Sequence, residues 1–312
     1  LLHTKIEDLK KNGLTGVNIS LDSLNKDRFK KLTKFDKLQD VLLSIDKALE
    51  LGLKVKINTV IVDDINKDEI IDFVNLTKEN LSDEHLCCII RSKKPHAGID
   101  AKRQWLSDRL NEGHVFRKLN AKATVFIEYA PLETAWVPVI GDNYYYLYCL
   151  WVLGSPRGNG YGKALIEYCI ADAKEKGRSG ICMLGAKKQK SWLSDQSFAK
   201  KFGFEVVDTT DNGYELLALS FDGTVPQFAP NAKNLKIESE ELTIYYDMQC
   251  PYIYKYIEMI KQYCETNDVP VSFIQVDTLQ KAKELPCVFN NFAVFYKGSF
   301  ETVNLPPIDY LK

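Results

Sequence analysis

The run Arg157-Gly158-Asn159-Gly160-Tyr161-Gly162-Lys163 concentrates the groups most suited to chemistry in this 312-residue chain. Glycines let a backbone approach an anion with no Cβ in the way. The first N–H groups of a helix have no intrahelical acceptor, and the helix dipole favours negative charge beside them. A glycine turn that opens a helix is therefore suited to a diphosphate, with Arg157 adding a charge-assisted contact. A second candidate is Cys250, in Cys250-Pro251-Tyr252, where a strand gives way to a helix; a thiol at a helix N-terminus ionises more readily. Ser20, Asp22, Lys56 and Asn58 form a third set, alternating with apolar residues. The basic run Lys187-Lys188-Gln189-Lys190 reads as a solvated loop that also suits a phosphate.

These groups need elements to hold them. An apolar strand ends at Val152, the glycine loop turns the chain, and a helix starts near Gly162. Leu165, Cys169 and Ala173 share one helix face, Ile166 and Ile170 lie beside them, and Gly177 ends it. Residues 1–73 alternate strand and helix: a strand at 17–22, a helix at 36–51 ended by Gly52, a strand at 55–62 and a helix at 68–76. Residues 74–223 are rich in strands from Val115 to Val152, with a turn at Gly141-Asp142-Asn143. Residues 224–241 are polar, carry two prolines and read as a linker. Residues 242–312 give a strand at 242–246, a helix at 252–267, and strands at 271–276 and 293–296. The fold class is α/β.

Composition narrows the function. With 41 basic and 42 acidic residues, no global charge favours nucleic acid or a membrane surface. No apolar run approaches the ~20 residues of a membrane-spanning helix. Leu1 in place of an initiator methionine is read as a chain that begins mid-gene. The eight cysteines form no C-x-x-C pair, so reduced thiols in a cytoplasmic protein are expected. Cys87-Cys88 opens an apolar run suited to a core. His3, His85, His96 and His114 show no ligand spacing, so no metal is expected.

Arg157–Gly162 resembles the Q/R-x-x-G-x-G/A coenzyme A signature of the GNAT acyltransferases. Ser197-Phe198-Ala199-Lys200-Lys201-Phe202-Gly203-Phe204 resembles that family's later segment ending in G-F. With Glu79-Asn80-Leu81, Trp105-Leu106, Phe126-Ile127-Glu128-Tyr129 and the tail, the chain is similar to the YoaP-type subgroup. The resemblance implies an α+β fold with a mixed, splayed sheet, followed by a thioredoxin-like domain. It implies acetyl-CoA as cosubstrate and a small-molecule or peptide amine as acceptor. Leu150, Trp151, Val152, Arg157, Gly158, Asn159, Gly160, Tyr161, Gly162 and Lys163 would hold the coenzyme. Main-chain N–H groups of 150–152 would stabilise the oxyanion. Glu128 is the carboxylate chosen as general base. Many relatives place a tyrosine acid where this chain has Ala199; Tyr148, Cys149 and Tyr161 are the nearby substitutes.

Cys250-Pro251-Tyr252 resembles the glutaredoxin C-P-Y-C, with Ile253 in place of the second cysteine. Cys250 is thus a single-thiol site, and Pro286 would match that fold's cis-proline. Gly16–Leu24 and Val55–Val60 resemble the radical-SAM GTP 3′,8-cyclase of molybdenum-cofactor synthesis. There the serine matching Ser20 contacts S-adenosylmethionine and the lysine matching Lys56 contacts GTP, on polar faces turned into a barrel. This segment carries no C-x-x-x-C-x-x-C, so an idle barrel fragment without an iron–sulfur cluster is expected. The expected division is a fragment at 1–73, an acyltransferase domain at 74–223, a linker at 224–241 and a thioredoxin-like domain at 242–312. Two other functions fit these residues: an inactive cyclase fragment fused to a passenger, and a non-catalytic acyl-CoA-binding module with a single-thiol domain. No oligomeric state is assigned.

Overall fold

The computed structural model describes residues 2–62, 65–66, 73–86, 96–154 and 156–305. The chain divides into two compact units, residues 1–72 and 73–312.

The first unit runs α1 (Ile6–Lys11), β1 (Gly16–Ser20), α2 (Lys26–Thr33), α3 (Leu38–Glu50) and β2 (Lys54–Asn58). Asn25 starts α2 by accepting the N–H groups of Asp27 and Arg28 on its side chain. The helices carry the chain back so that β2 pairs parallel to β1, Gly16 opposite Lys54 and Ser20 opposite Asn58. Ile6, Ala48 and Leu53 form its buried core. Ser20, Lys56 and Asn58 fall on one face by two-residue alternation, and that face is exposed. Among the described residues this sheet has two strands, so the polar face expected to line a barrel is open to solvent.

The second unit opens with β3 (Phe73–Asn75), a strand where the sequence suggested the end of a helix. It pairs antiparallel with β4 (Val115–Leu119), and this ladder outweighs the local helical pattern. Residues 68–72 of that expected helix lie outside the described residues. Then follow α4 (Ala97–Leu110), β4 (Val115–Leu119), β5 (Val125–Pro131), β6 (Val139–Ile140), β7 (Tyr144–Val152), α5 (Tyr161–Glu175), β8 (Gly180–Ala186), α6 (Gln196–Lys200), β9 (Glu205–Thr209) and β10 (Tyr214–Ser220). A seven-stranded sheet has the order β3-β4-β5-β7-β8-β10-β9. It is mixed: β7 and β8 are parallel and the other pairings antiparallel.

The expected linker is packed. It carries β11 (Gln227–Phe228), which pairs with β6, and a 3-10 turn at Pro230–Lys233. Phe228, Ala229 and Ala232 are buried, and Asn231 donates to the carbonyls of Lys283 and Leu285. The last part comprises β12 (Leu242–Tyr246), α7 (Pro251–Thr266), β13 (Val271–Gln275), α8 (Leu279–Lys283), β14 (Phe292–Tyr296) and β15 (Ser299–Thr302). Its four-stranded sheet has the order β13-β12-β14-β15. No cis peptide bond occurs among the described residues, so Pro286 is trans, against the expectation; its carbonyl accepts the N–H of Leu235.

Each face of the large sheet has its own core. Leu165, Ile166, Cys169 and Ala173 of α5 pack on Ile127, Tyr129, Tyr145, Leu147 and Met183. On the other face, Trp105, Tyr146, Tyr148 and Leu184 share one core with Phe289, Ala293 and Phe295 of the C-terminal part. α7 covers the far side of the small sheet through Ile253, Ile257 and Ile260.

Candidate functional site: a cleft where two parallel strands part

β5 follows β7 from Pro131–Tyr145 to Val125–Val152, whereas β8 pairs only with Tyr144, Tyr145 and Tyr146. From Leu147 onward the β8-side edge of β7 is open. The β5–β7 register shifts between Glu128, opposite Cys149, and Tyr129, opposite Leu147, so Tyr148 is the extra residue of a bulge. N–H groups alternate across a strand. Leu153 N–H turns toward β5 and donates to Thr124 O at 2.9 Å. Leu150 N–H turns the other way and donates to Ser194 Oγ at 3.1 Å. Alternation aims Val152 N–H into the cleft with Leu150, and turns Trp151 N–H away from it.

The glycine loop lies beside this open edge. Gly158 and Gly160 adopt φ of 82° and 77°, a region that favours glycine. Arg157 and Asn159 N–H groups close turns onto Gly154 O and Pro156 O. Gly160 caps α5 with no side chain taking up the helix N–H groups, so those of Tyr161, Gly162 and Lys163 are free of intrahelical acceptors. A Cβ on Gly162 would stand 3.3 Å from Phe198, tighter than ordinary packing, and 3.6 Å from Val152, so glycine eases the fit of the helix start against Phe198. Arg157 Nε donates to Val152 O at 3.2 Å.

A cleft of about 910 Å³ brings together Leu150, Trp151, Val152, Arg157, Gly158, Gly160, Tyr161, Gly162 and Lys163. Of the ten residues expected at the coenzyme, only Asn159 falls outside that lining; its side chain donates to Pro156 O. Lys190 and Ala199 line the cleft, whereas Lys187 and Lys188 do not and are exposed. Of the three substitute acids, only Tyr161 lies there. Tyr148 is buried, accepts Trp136 N–H at 2.7 Å, and has its pKa raised well above normal by burial. Burial also pushes the Cys149 thiol up. The loop closing the cleft after β8 is ordered by Gln189, whose side chain donates to the carbonyls of Lys190, Leu193 and Ser194.

Glu128 is elsewhere. It is 1% exposed and does not line the cleft. Its Oε1 pairs with Lys102 Nζ and lies 2.8 Å from His114 Nε2, and its Oε2 accepts from Gln249 Nε2 at 2.7 Å. Burial opposes ionisation, but Lys102 and His114 outweigh it and hold the Glu128 pKa below the usual carboxylate range. Burial holds the His114 pKa down despite Glu128. Lys102 also stands over the rings of Trp105 and Phe116, at 4.9 and 5.5 Å. Gln249 accepts from Asn291 Nδ2 at 2.9 Å, and its N–H donates to Asp247 Oδ1 at 2.9 Å. Burial raises the Asp247 pKa to about 7. His114, read from sequence as an isolated histidine, thus belongs to a buried cluster with Lys102, Glu128 and Gln249.

Cys250 is half-buried at the N-cap of α7. Ile253, in the place of a second cysteine, is a core residue of α7. Cys87 and Cys88 lie outside the described residues. Among those described, no group of three or more His, Cys, Asp or Glu is arranged to hold a metal ion.

Known proteins match in the same segments. The GNAT acetyltransferase family profile matches residues 76–204, the YoaP-like profile residues 270–312, and the radical SAM superfamily profile residues 1–77. The uncharacterized N-acetyltransferase YoaP of Bacillus subtilis (strain 168) is 36% identical over 239 residues, 76% of this chain and 95% of that protein. GTP 3′,8-cyclase of Clostridium perfringens (strain 13 / Type A) is 58% identical over 80 residues, but these are 26% of this chain and 25% of the cyclase. Among solved structures, the PaiA N-acetyltransferase of Thermoplasma acidophilum, in complex with coenzyme A, is 19% identical over 48% of this chain and 99% of its own, with a TM-score of 0.34.

Proposed function

The chain belongs to the YoaP-like N-acetyltransferases of the GNAT family, and we propose that it carries out acetyl transfer in the cleft between β7 and β8. The observation that carries this is the parting of two parallel strands beside an uncapped helix start. The N–H groups of Gly158 and Tyr161–Lys163 receive the diphosphate of acetyl-CoA, with Arg157 and Lys190 supplying positive charge. The pantetheine arm runs along the open edge of β7. Val152 N–H, and Leu150 N–H once it exchanges Ser194 for the thioester oxygen, stabilise the oxyanion. A neutral amine attacks the carbonyl carbon, the C–S bond breaks, and coenzyme A leaves as a thiolate. The proton that the attacking nitrogen loses passes through water to the thiolate, with Tyr161, the one of the three substitute acids that lines the cleft, as the relay. Glu128, with both oxygens engaged behind the bulge, serves to position β5 and β7 rather than to take the amine proton.

The acceptor is an amine on a small molecule or peptide, and the protein works in the cytoplasm. Six described cysteines, all unpaired, support that location. We read residues 242–312 as a thioredoxin-like domain from its parallel β12–α7–β13 unit and antiparallel β14 and β15. Cys250 is its one thiol at the helix start. The cyclase resemblance accounts for residues 1–77 alone and leaves the cleft without a use.

Calorimetry of the full chain with acetyl-CoA is the test. Saturable binding, abolished by Gly160→Glu, is expected, because the new carboxylate would occupy and repel the diphosphate site. Release of free coenzyme A with a panel of amines then distinguishes an enzyme from a binding module. A folded chain that takes up no acetyl-CoA would refute the assignment.

A further inference from the structure

Two walls define the cleft, the open stretch of β7 and the loop that follows β8, and the C-terminal part of the chain touches both. Gln249 Nε2 donates to Glu128 Oε2 at 2.7 Å. Glu128 lies opposite Cys149, between the bulge at Tyr148 and Leu150. Gln249 is itself held by Asn291 and Asp247. Three residues on, the Tyr252 ring meets the Trp192 ring at 5.6 Å, and Asn290 Nδ2 donates to Trp192 O at 3.3 Å. Trp192 lines the cleft at a φ of 68°, a conformation unusual for tryptophan. Two residues after it, Ser194 takes the Leu150 N–H. The start of α7 is pressed close to α4 as well: a Cβ on Gly98 would come 2.1 Å from Pro251 O.

We infer that Gln249 is a positioning residue which, with Tyr252 and Asn290, fixes the separation of the two cleft walls. Beyond Tyr146, β7 has a ladder on one side only, so its open edge needs support from elsewhere. Oxyanion donors act only within a narrow geometry, and a misplacement of ~1 Å costs about a hundredfold in rate. Gln249 reaches β7 from behind through Glu128, and Tyr252 and Asn290 brace the facing loop. The diphosphate loop at 157–163 makes none of these contacts. The structural claim stands on these contacts alone; its catalytic consequence rests on the acetyl-transfer reading.

The test uses the full chain with Gln249→Ala and Tyr252→Ala. Amide hydrogen exchange over 147–153 is expected to quicken about tenfold in the first variant, and over 189–196 in the second, with 157–163 unchanged. Turnover should fall about tenfold or more, while the Kd for acetyl-CoA moves less than about threefold. Wild-type exchange in both variants, or a Kd that rises in step with the loss of turnover, overturns the inference. If wild-type protein fails to bind acetyl-CoA, the functional reading falls while the exchange data still decide the positioning claim. Tyr252→Ala truncates a half-buried side chain and keeps the test open should Gln249→Ala not fold.

Discussion

Glu128→Gln separates a catalytic from a structural role for this carboxylate. Lys102 and Glu128 are each 1% exposed and paired. Removing one member of a buried ion pair leaves the other uncompensated and costs about 3–5 kcal/mol. Here Lys102 keeps the faces of Trp105 and Phe116, and the new amide oxygen still accepts a hydrogen bond. The low end, about 3 kcal/mol, is therefore expected, a large share of the ~5–15 kcal/mol that holds a domain together. The Glu128 pKa is held below its unfolded value. Its contribution is thus complete above the ordinary carboxylate range and disappears as pH falls through the folded value. Urea titration at neutral and acidic pH measures the gap between wild type and variant, which should be wide at neutral pH and close in acid. Lys102→Met combined with Glu128→Leu should recover part of the loss, since an apolar pair of similar volume needs no desolvated charge. A Glu128→Gln protein as stable as wild type but inactive per folded molecule would refute this reasoning and restore Glu128 as the general base.

Asp247, with a pKa raised to about 7 by burial, carries the opposite sign. Its folded state holds a proton between the ordinary carboxylate range and pH 7, so its contribution falls as pH rises through that window. Lys102, Glu128, Gln249 and Asn291 are the groups around it. Asp247→Asn should gain on wild type by up to ~1.4 kcal/mol per pH unit across the window, read from urea midpoints, and gain no more above it. Truncation after Glu241 should leave an aggregating protein, because it strips Phe289, Ala293 and Phe295 from a core shared with Trp105 and Tyr146; size-exclusion chromatography and near-UV circular dichroism report the outcome. A monomeric, cooperatively folded truncation would count against a shared core.

Local features of the site were legible in the sequence, and those assembled across the chain were not. The glycine loop and α5 announce themselves because a helix start, its cap and its apolar stripe all lie within about twenty consecutive residues. β12, α7 and β13 were readable within a residue or two for the same reason. Phe73–Asn75 was misread because three residues carry no period of their own and the β4 ladder decides them. The partners of the Glu128 cluster could not be paired from the sequence, because they stand at 102, 114, 249 and 291, spread along the chain. Lys102 sits on α4 with no flanking acid to mark it as buried, and His114 has no ligand-like neighbour. A run of apolar residues on both sides of Glu128 was the one available signal: a glutamate inside a fully buried strand must be paired.

That buried cluster changes what the C-terminal part is to the cleft. A covalently linked module that merely rides beside an enzyme would present a wet, polar interface. Here the interface buries a charge pair, a histidine and the Gln249 amide inside an apolar core made jointly by both sheets. Polar groups withdrawn from water in this way are tolerable only when each finds its partner, so the arrangement specifies a single docking geometry. Gln249 is the donor for one Glu128 oxygen, and Glu128 stands directly behind the bulge that redirects β7. The stretch of β7 that walls the cleft is therefore tied, through Glu128, to the far end of the sequence, and the cleft depends on the C-terminal part as well as on the large sheet.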